Sequence, residues 1–317
     1  MSKDAKMADG SCAAAATGMT GVTGAAQSFN EATLSQPILR APRAVRLASR
    51  KKVLLLTILS AVILTTIVTC GLAWMGAATT TDIANQALMP SWEHPFGTDR
   101  LGHDMFIRTV SGLTQSILIG LLAATVSACI ALVLGMVAAL GGRKVDALIT
   151  WLIDLMLGVP HIVLLILISY AAGKGFWGVV VGVALTHWPM LTRVIRAEVL
   201  QVKESAYIAQ AHRLGVSPLK IAWHHMVPHV FPQFLVGTLL LFPHAILHEA
   251  SITFLGFGLS PESAAIGIIL SESMTYLSSG MWWLAVFPGL ALIGVVMLFD
   301  AMGQGVRRLI TPGHAQE

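Results

Sequence analysis

The stretch ESAYIAQAHRLGVSPLKIAWHHMVP, Glu204–Pro228, lies between two long apolar segments of a 317-residue chain. It is polar and carries helix signals on both sides of Gly215. Ser217 followed by Pro218 has the layout of a helix N-cap with proline in the first turn. Read as a helix, 204–214 places Tyr207, Ala211 and Leu214 on one face, with Glu204, Gln210 and Arg213 supplying polarity. A helical elbow with an apolar face suits a groove on another protein. A solvated linker, the alternative, has no need of such patterning. Gly215 permits the sharp turn if its φ is positive.

The flanks decide what the elbow belongs to. Apolar residues make up 55% of the chain and charged residues only 11%, with a mean hydropathy of +0.75. That is the composition of an integral membrane protein. Six stretches, 53–76, 113–140, 146–171, 176–196, 231–256 and 282–303, reach the ~20 apolar residues a spanning helix needs. The expected fold is therefore all-α with six transmembrane helices. With both termini cytoplasmic, 17 of the 20 Lys and Arg fall inside, leaving Arg100, Arg108 and Lys174 outside. The same bias accounts for the net charge of +4 without nucleic acid as a partner.

Residues 1–52 read as a basic cytoplasmic tail with no cleavable-signal layout, disordered over its first 39 residues. The first helix, 53–76, leads into an outside loop, 77–112; a second outside loop spans 257–281. Both loops mix Gly, Pro and charged residues with apolar ones, and are expected to pack as short interfacial helices. Residues 197–230 form the cytoplasmic loop, and 304–317 a second cytoplasmic tail. Cys12, Cys70 and Cys129 have neither disulfide nor metal-ligand spacing and read as inert. No GxxxxGK[ST] motif occurs, so nucleotide hydrolysis has to come from another chain, and no cofactor is expected.

Polar residues within spans are expensive and are functional candidates by default. His244 and His248 lie four apart on one helix face, a spacing able to place two imidazoles on one metal. Glu249 follows them, His187 sits beside Trp188, and His161 follows Pro160. We read His187, His244, His248 and Glu249 as a candidate substrate pathway, with any metal contact at His244 and His248 transient. The competing reading is an interhelical hydrogen bond at each. Asp154, also within a span, is expected to pair with a cation on a neighbouring helix or chain. Pro160, Pro189 and Pro243 are expected to kink their helices.

The elbow resembles the signature loop of permease subunits of ATP-binding-cassette (ABC) importers. In the peptide and nickel branch that loop reads close to Tyr-Val-Glu-Ala-Ala-Arg-Ala-Leu-Gly, then Ile and Pro. This chain has Tyr207, Ala211, Leu214 and Gly215, then Ile221 and Pro228, with Ala209 where the family carries Glu. The segment HPFGTDRLGHDMF, His94–Phe106, resembles the family's extracytoplasmic motif, with His103 at a position usually Arg. Phe254–Leu259, FLGFGL, matches its motif at the outer end of the fifth span. The similarity runs through residues 90–312 in order.

The resemblance implies a type I ABC importer permease fold, with 113–303 as the permease core and 197–230 as the loop that couples to the ATPase. It implies a multi-pass protein of the bacterial inner membrane. The partners it implies are a second permease in a heterodimer, two ATPase subunits and an extracytoplasmic solute-binding protein. Coupling would fall to Glu204, Tyr207, Ala211, Leu214, Gly215, Ile221 and Pro228. The run His244–Glu249 leans the cargo towards nickel, another metal or a metal chelate, with di- and oligopeptides as the alternative. Two other classes fit less well. An intramembrane metalloprotease needs His-Glu-x-x-His, whereas here the Glu follows the second His. A secondary transporter leaves the elbow unexplained and calls for an inverted repeat that is not evident.

Overall fold

In the computed structural model, which describes residues 50–310, every long element is a helix. The expected tails 1–49 and 311–317, and Cys12 with them, lie outside the described residues. The helices are α1 (Arg50–Ala73), α2 (Met105–Leu140), α3 (Arg143–Gly158), α4 (His161–Ala171), α5 (Gly175–Lys203), α6 (Ala206–Arg213), α7 (Pro218–Ile221), α8 (Val227–Phe254), α9 (Ile266–Leu277) and α10 (Trp283–Ile310). A π-helical turn, Ala222–Met226, joins α7 to α8. Five segments are long and apolar enough to cross a bilayer, and α3 with α4 makes a sixth if taken as one span. Arg50–Lys52, placed by sequence in the tail, already belong to α1, and the helix expected at 113 begins at Met105.

The long helix α2 is central, packing along α5 and against α8. Its buried face explains how. Gly112, Ser116, Gly120, Ala124 and Ala128 recur every four residues, and Ala131, Gly135 and Ala139 continue the stripe. In hydrocarbon, burying apolar surface gives helices no preference for one another over lipid, so association depends on close approach at small side chains. A Cβ at Gly120 would lie 2.8 Å from Ile246 of α8, and one at Gly135 the same distance from Ile195 of α5. Helix α10 packs on α1 and α8, and α9 lies against α10 and α8.

The third span departs from expectation. A continuous helix kinked at Pro160 was expected over 146–171; instead α3 and α4 meet at 98°. Pro160 disfavours helical backbone in the residue before it. Val159 is accordingly extended, with φ −89° and ψ 138°. Pro189 and Pro243 stay inside α5 and α8 without breaking them.

Ahead of α2 the loop between α1 and α2 closes as a clasp. Asp104 caps α2, its Oδ1 accepting from the backbone of Phe106 at 2.8 Å and of Ile107 at 3.1 Å. Its other oxygen meets His94 Nδ1 at 2.7 Å. Buried Asp99 accepts from His103 Nδ1 at 2.7 Å and from Arg108 at 3.0 Å, and Arg108 reaches Glu272 of α9 at 2.8 Å. Trp283 at the start of α10 donates to the carbonyl of Thr98 at 3.4 Å. The loop contains 3₁₀ turns at Ala77–Thr79 and Ile83–Asn85, while 257–281 holds α9.

Gly102 makes the tightest backbone approach in this clasp. Its φ is +79°, and a Cβ there would stand 1.8 Å from the carbonyl oxygen of Asp82. Gly102→Ala is therefore expected to cost at least about 2 kcal/mol, since backbone has to move. Gly76→Ala, with nothing within 4 Å of the added carbon, should stay within about 0.5 kcal/mol of the parent. Thermal unfolding of both variants in detergent checks the contrast, and equal melting temperatures would refute it.

Candidate functional site

The elbow is built by two terminators in succession. Helix α5 ends at Lys203, whose Nζ donates to the carbonyl of Ala139 at the end of α2, 3.0 Å away. Glu204 is its exposed C-cap, and Ser205 then opens α6 from an extended backbone. At the end of α6 the N–H of Val216 bonds the carbonyl of Ala211 at 3.1 Å, and that of Gly215 bonds His212 at 3.0 Å. This pair of bonds is the Schellman stop, which asks for a left-handed residue after the C-cap. Gly215, at φ +75°, supplies it. Ser217 occupies the next N-cap position without a side-chain capping bond, and Pro218 takes the first turn. Pro228 lies just past the π-helical turn, where its missing N–H cannot continue the helical bonding back to His224.

The elbow has an inner and an outer face. Ile208, Ile221 and Met226 are fully buried in one apolar cluster with Ile195 and Val199 of α5 and Ile149 and Ile153 of α3; Ala211 and Val216 pack on it. The outer face is apolar too: Leu214 is 77% exposed, Leu219 79% and Trp223 67%. Tyr207 is half-exposed, its ring 6.3 Å from that of His225. Tyr207, Ala211 and Leu214 thus do not present one uniform surface, because Ala211 turns partly inward. Leu219 and Trp223 escaped the sequence reading; apolar side chains flanking a solvent-facing Lys220 were the available signal. Ala209, where the family carries Glu, is exposed on α6.

Behind the elbow, two ion pairs tie α3 to α5. Arg196 meets Asp146 through both Nε and Nη2, at 2.5 and 2.6 Å. Arg193 meets Asp154 at 2.5 Å, the neighbouring-helix partner expected for that carboxylate. Two-point Arg–carboxylate pairing fixes orientation as well as distance.

The intramembrane polar residues sort differently from their sequence spacing. His161 of α4, His187 of α5 and His248 of α8 place one ligating nitrogen each within 4.8 Å of the others. Their ring centroids are 4.8 Å apart for His161 and His187, 4.5 Å for His161 and His248, and 5.1 Å for His187 and His248. His244, four residues before His248, is exposed and stands outside this group. Glu249 is fully buried but faces away along α8, with Oε1 accepting from Thr253 at 3.0 Å. The break at Pro160 carries His161 to the other two, and that is why spacing along the chain missed it.

Comparison with known proteins agrees with this architecture. Residues 131–312 match the family described as binding-protein-dependent transport system inner membrane component. A putative peptide permease protein of Brucella suis is 35% identical over 226 residues, covering 70% of this chain and 74% of that protein. The dipeptide transport system permease protein DppC of Bacillus subtilis is 30% identical over 230 residues, 73% of this chain and 72% of its own length. Among solved structures, a chain from inward-facing conformations of the MetNI methionine ABC transporter superposes with a TM-score of 0.55 at 16% identity. The match covers 65% of this chain and 98% of that one, a likeness of fold. An all-helical bundle with a docked polar elbow, matched over most of its length by such permeases, belongs to the family of inner-membrane components of binding-protein-dependent transport systems: this chain is a multi-pass inner-membrane permease subunit of an ABC importer.

Proposed function

We propose that the chain forms half of a translocation pathway that imports short peptides. It does so with a second permease subunit, two ATPase subunits on the cytoplasmic elbows and an extracytoplasmic binding protein that delivers the cargo. The observation carrying the cargo is the relatives' identity: proteins 30–35% identical over more than two thirds of this chain bear peptide-permease names. They favour peptide over the nickel or metal-chelate cargo towards which the histidine run leans. Placing the elbow in the cytoplasm rests on the Lys and Arg distribution, 17 of 20 on that side.

The elbow's construction supports a mechanical role. Its outer face offers Leu214, Leu219, Trp223 and Tyr207 to a groove. Its inner face, through Ile208 and Ile221, is continuous with the core that holds α3 and α5. A groove that moves on ATP binding therefore moves the spans with it, and the pathway alternates between two packings. Glu204 at the end of α5 and Pro228 at the start of α8 mark where the elbow joins those spans. Gly215 sets the angle between α6 and α7. With Ala209 where the family has Glu, docking here relies on apolar contact more than on an ion pair at that position. The chain's part is transport; hydrolysis belongs to the ATPase partners.

Two outcomes test this reading. Leu214→Glu should cut peptide-stimulated ATP hydrolysis of the assembled complex at least tenfold, because a charge then enters an apolar groove, while membrane insertion stays normal; unchanged stimulated hydrolysis refutes docking at this face. Cells lacking the chain should lose uptake of radiolabelled dipeptide and keep uptake of radiolabelled nickel. Loss of nickel uptake that excess dipeptide does not compete would overturn the peptide assignment.

A further inference from the structure

We infer that His161, His187 and His248 form a binding site for a borderline divalent cation of the Zn²⁺ class, resident in the membrane core of this subunit. Three observations meet there. One ligand comes from each of three helices, α4, α5 and α8, and the three nitrogens lie within 4.8 Å of one another. His187 is only 8% exposed, and its Nδ1 donates to the carbonyl of Val183 one turn earlier, 2.8 Å away. A carbonyl accepts only, so in the neutral ring the proton sits on Nδ1 and the lone pair on Nε2. That Nε2 is buried without a hydrogen-bond partner, and so is Nε2 of His161.

Two buried imidazole nitrogens with no donor are costly to leave as they stand. A cation among them satisfies both at once. The second-sphere arrangement is the one metal-binding histidines use, with the remote ring N–H held by a backbone carbonyl that fixes tautomer and ring plane. Neutral imidazoles suit Zn²⁺, Co²⁺, Ni²⁺ and Cu²⁺, and exclude the hard ions Mg²⁺ and Ca²⁺, which want oxygen.

The geometry needs little adjustment. Zinc–nitrogen bonds of about 2.0–2.1 Å in a tetrahedron set the nitrogens about 3.4 Å apart. From a triangle with sides of at most 4.8 Å, each imidazole moves inward by no more than about 0.8 Å, within reach of side-chain rotation. Three ligands leave the fourth position open for a water or an anionic group. The ion would pin the far side of the break at Pro160 to α5 and α8, three elements whose relative positions alternating access has to change. Binding should therefore slow transport rather than serve it as cargo.

The test uses the complete transport complex, purified in detergent, stripped with EDTA and titrated with Co²⁺ and then Zn²⁺ in the absence of peptide. The expected result is one Co²⁺ per copy of this subunit, with the strong visible d–d bands of four-coordinate cobalt, bleached by Zn²⁺. His161→Asn, His187→Asn and His248→Asn should each weaken binding at least about tenfold, whereas His244→Asn should leave it unchanged. Folded wild-type complex that shows no such bands overturns the site without reference to any variant. So does binding that survives replacement of all three histidines, or that is lost with His244→Asn. Because no peptide is present, failure here leaves the cargo assignment standing, and failure of peptide uptake leaves this site standing.

Discussion

Close approach along one face of α2 is the constraint on which the rest of the bundle depends. Hydrocarbon offers backbone groups no water, so each span satisfies its own N–H and C=O by being helical, and nothing apolar about a helix then distinguishes a neighbour from lipid. The stripe from Gly112 to Ala139 resolves this by removing side-chain bulk where α5 and α8 cross. With those crossings fixed, Ile195 and Ile246 fill the space against Gly135 and Gly120. The two apolar clusters, one towards the clasp and one towards the elbow, grow from the same helix.

Outside the bundle core the governing rule changes from packing to polar satisfaction. At the clasp, Asp99 and Asp104 between them take up backbone N–H groups, two imidazoles and Arg108, so a loop with only short 3₁₀ turns becomes fixed to α2 and α9. At the elbow end, Asp146 and Asp154 pair with Arg196 and Arg193, and the Schellman stop satisfies carbonyls that α6 would otherwise leave bare. Both ends are thus held by their hydrogen bonds and ion pairs. The break within the spans is the turn at Val159 and Pro160. It lies beside the three histidines of α4, α5 and α8.

Much of this was legible in the residues. Apolar runs marked the spans, and Gly215 with Ser217-Pro218 marked the elbow's turn and restart, all local properties. Three motifs in order pointed to the permease family. Asp154 was readable as one half of an ion pair, since a carboxylate in a span without a partner would be untenable. The His244/His248 spacing was legible as a helix face, but the structure gathers a different set.

What the sequence alone determined was therefore that most segments are helical and long enough to span, since hydropathy and backbone hydrogen bonding act over a few consecutive residues. What the tertiary structure decided was which segments meet. A 98° turn at Pro160 brings His161 to His187 and His248, from which it is separated by 26 and 87 positions, and packing of the elbow on α3 and α5 leaves Ala211 partly inward while Leu219 and Trp223 face out. Those outcomes depend on how separate helices pack, and no periodicity within a single helix encodes the angle at which another will cross it.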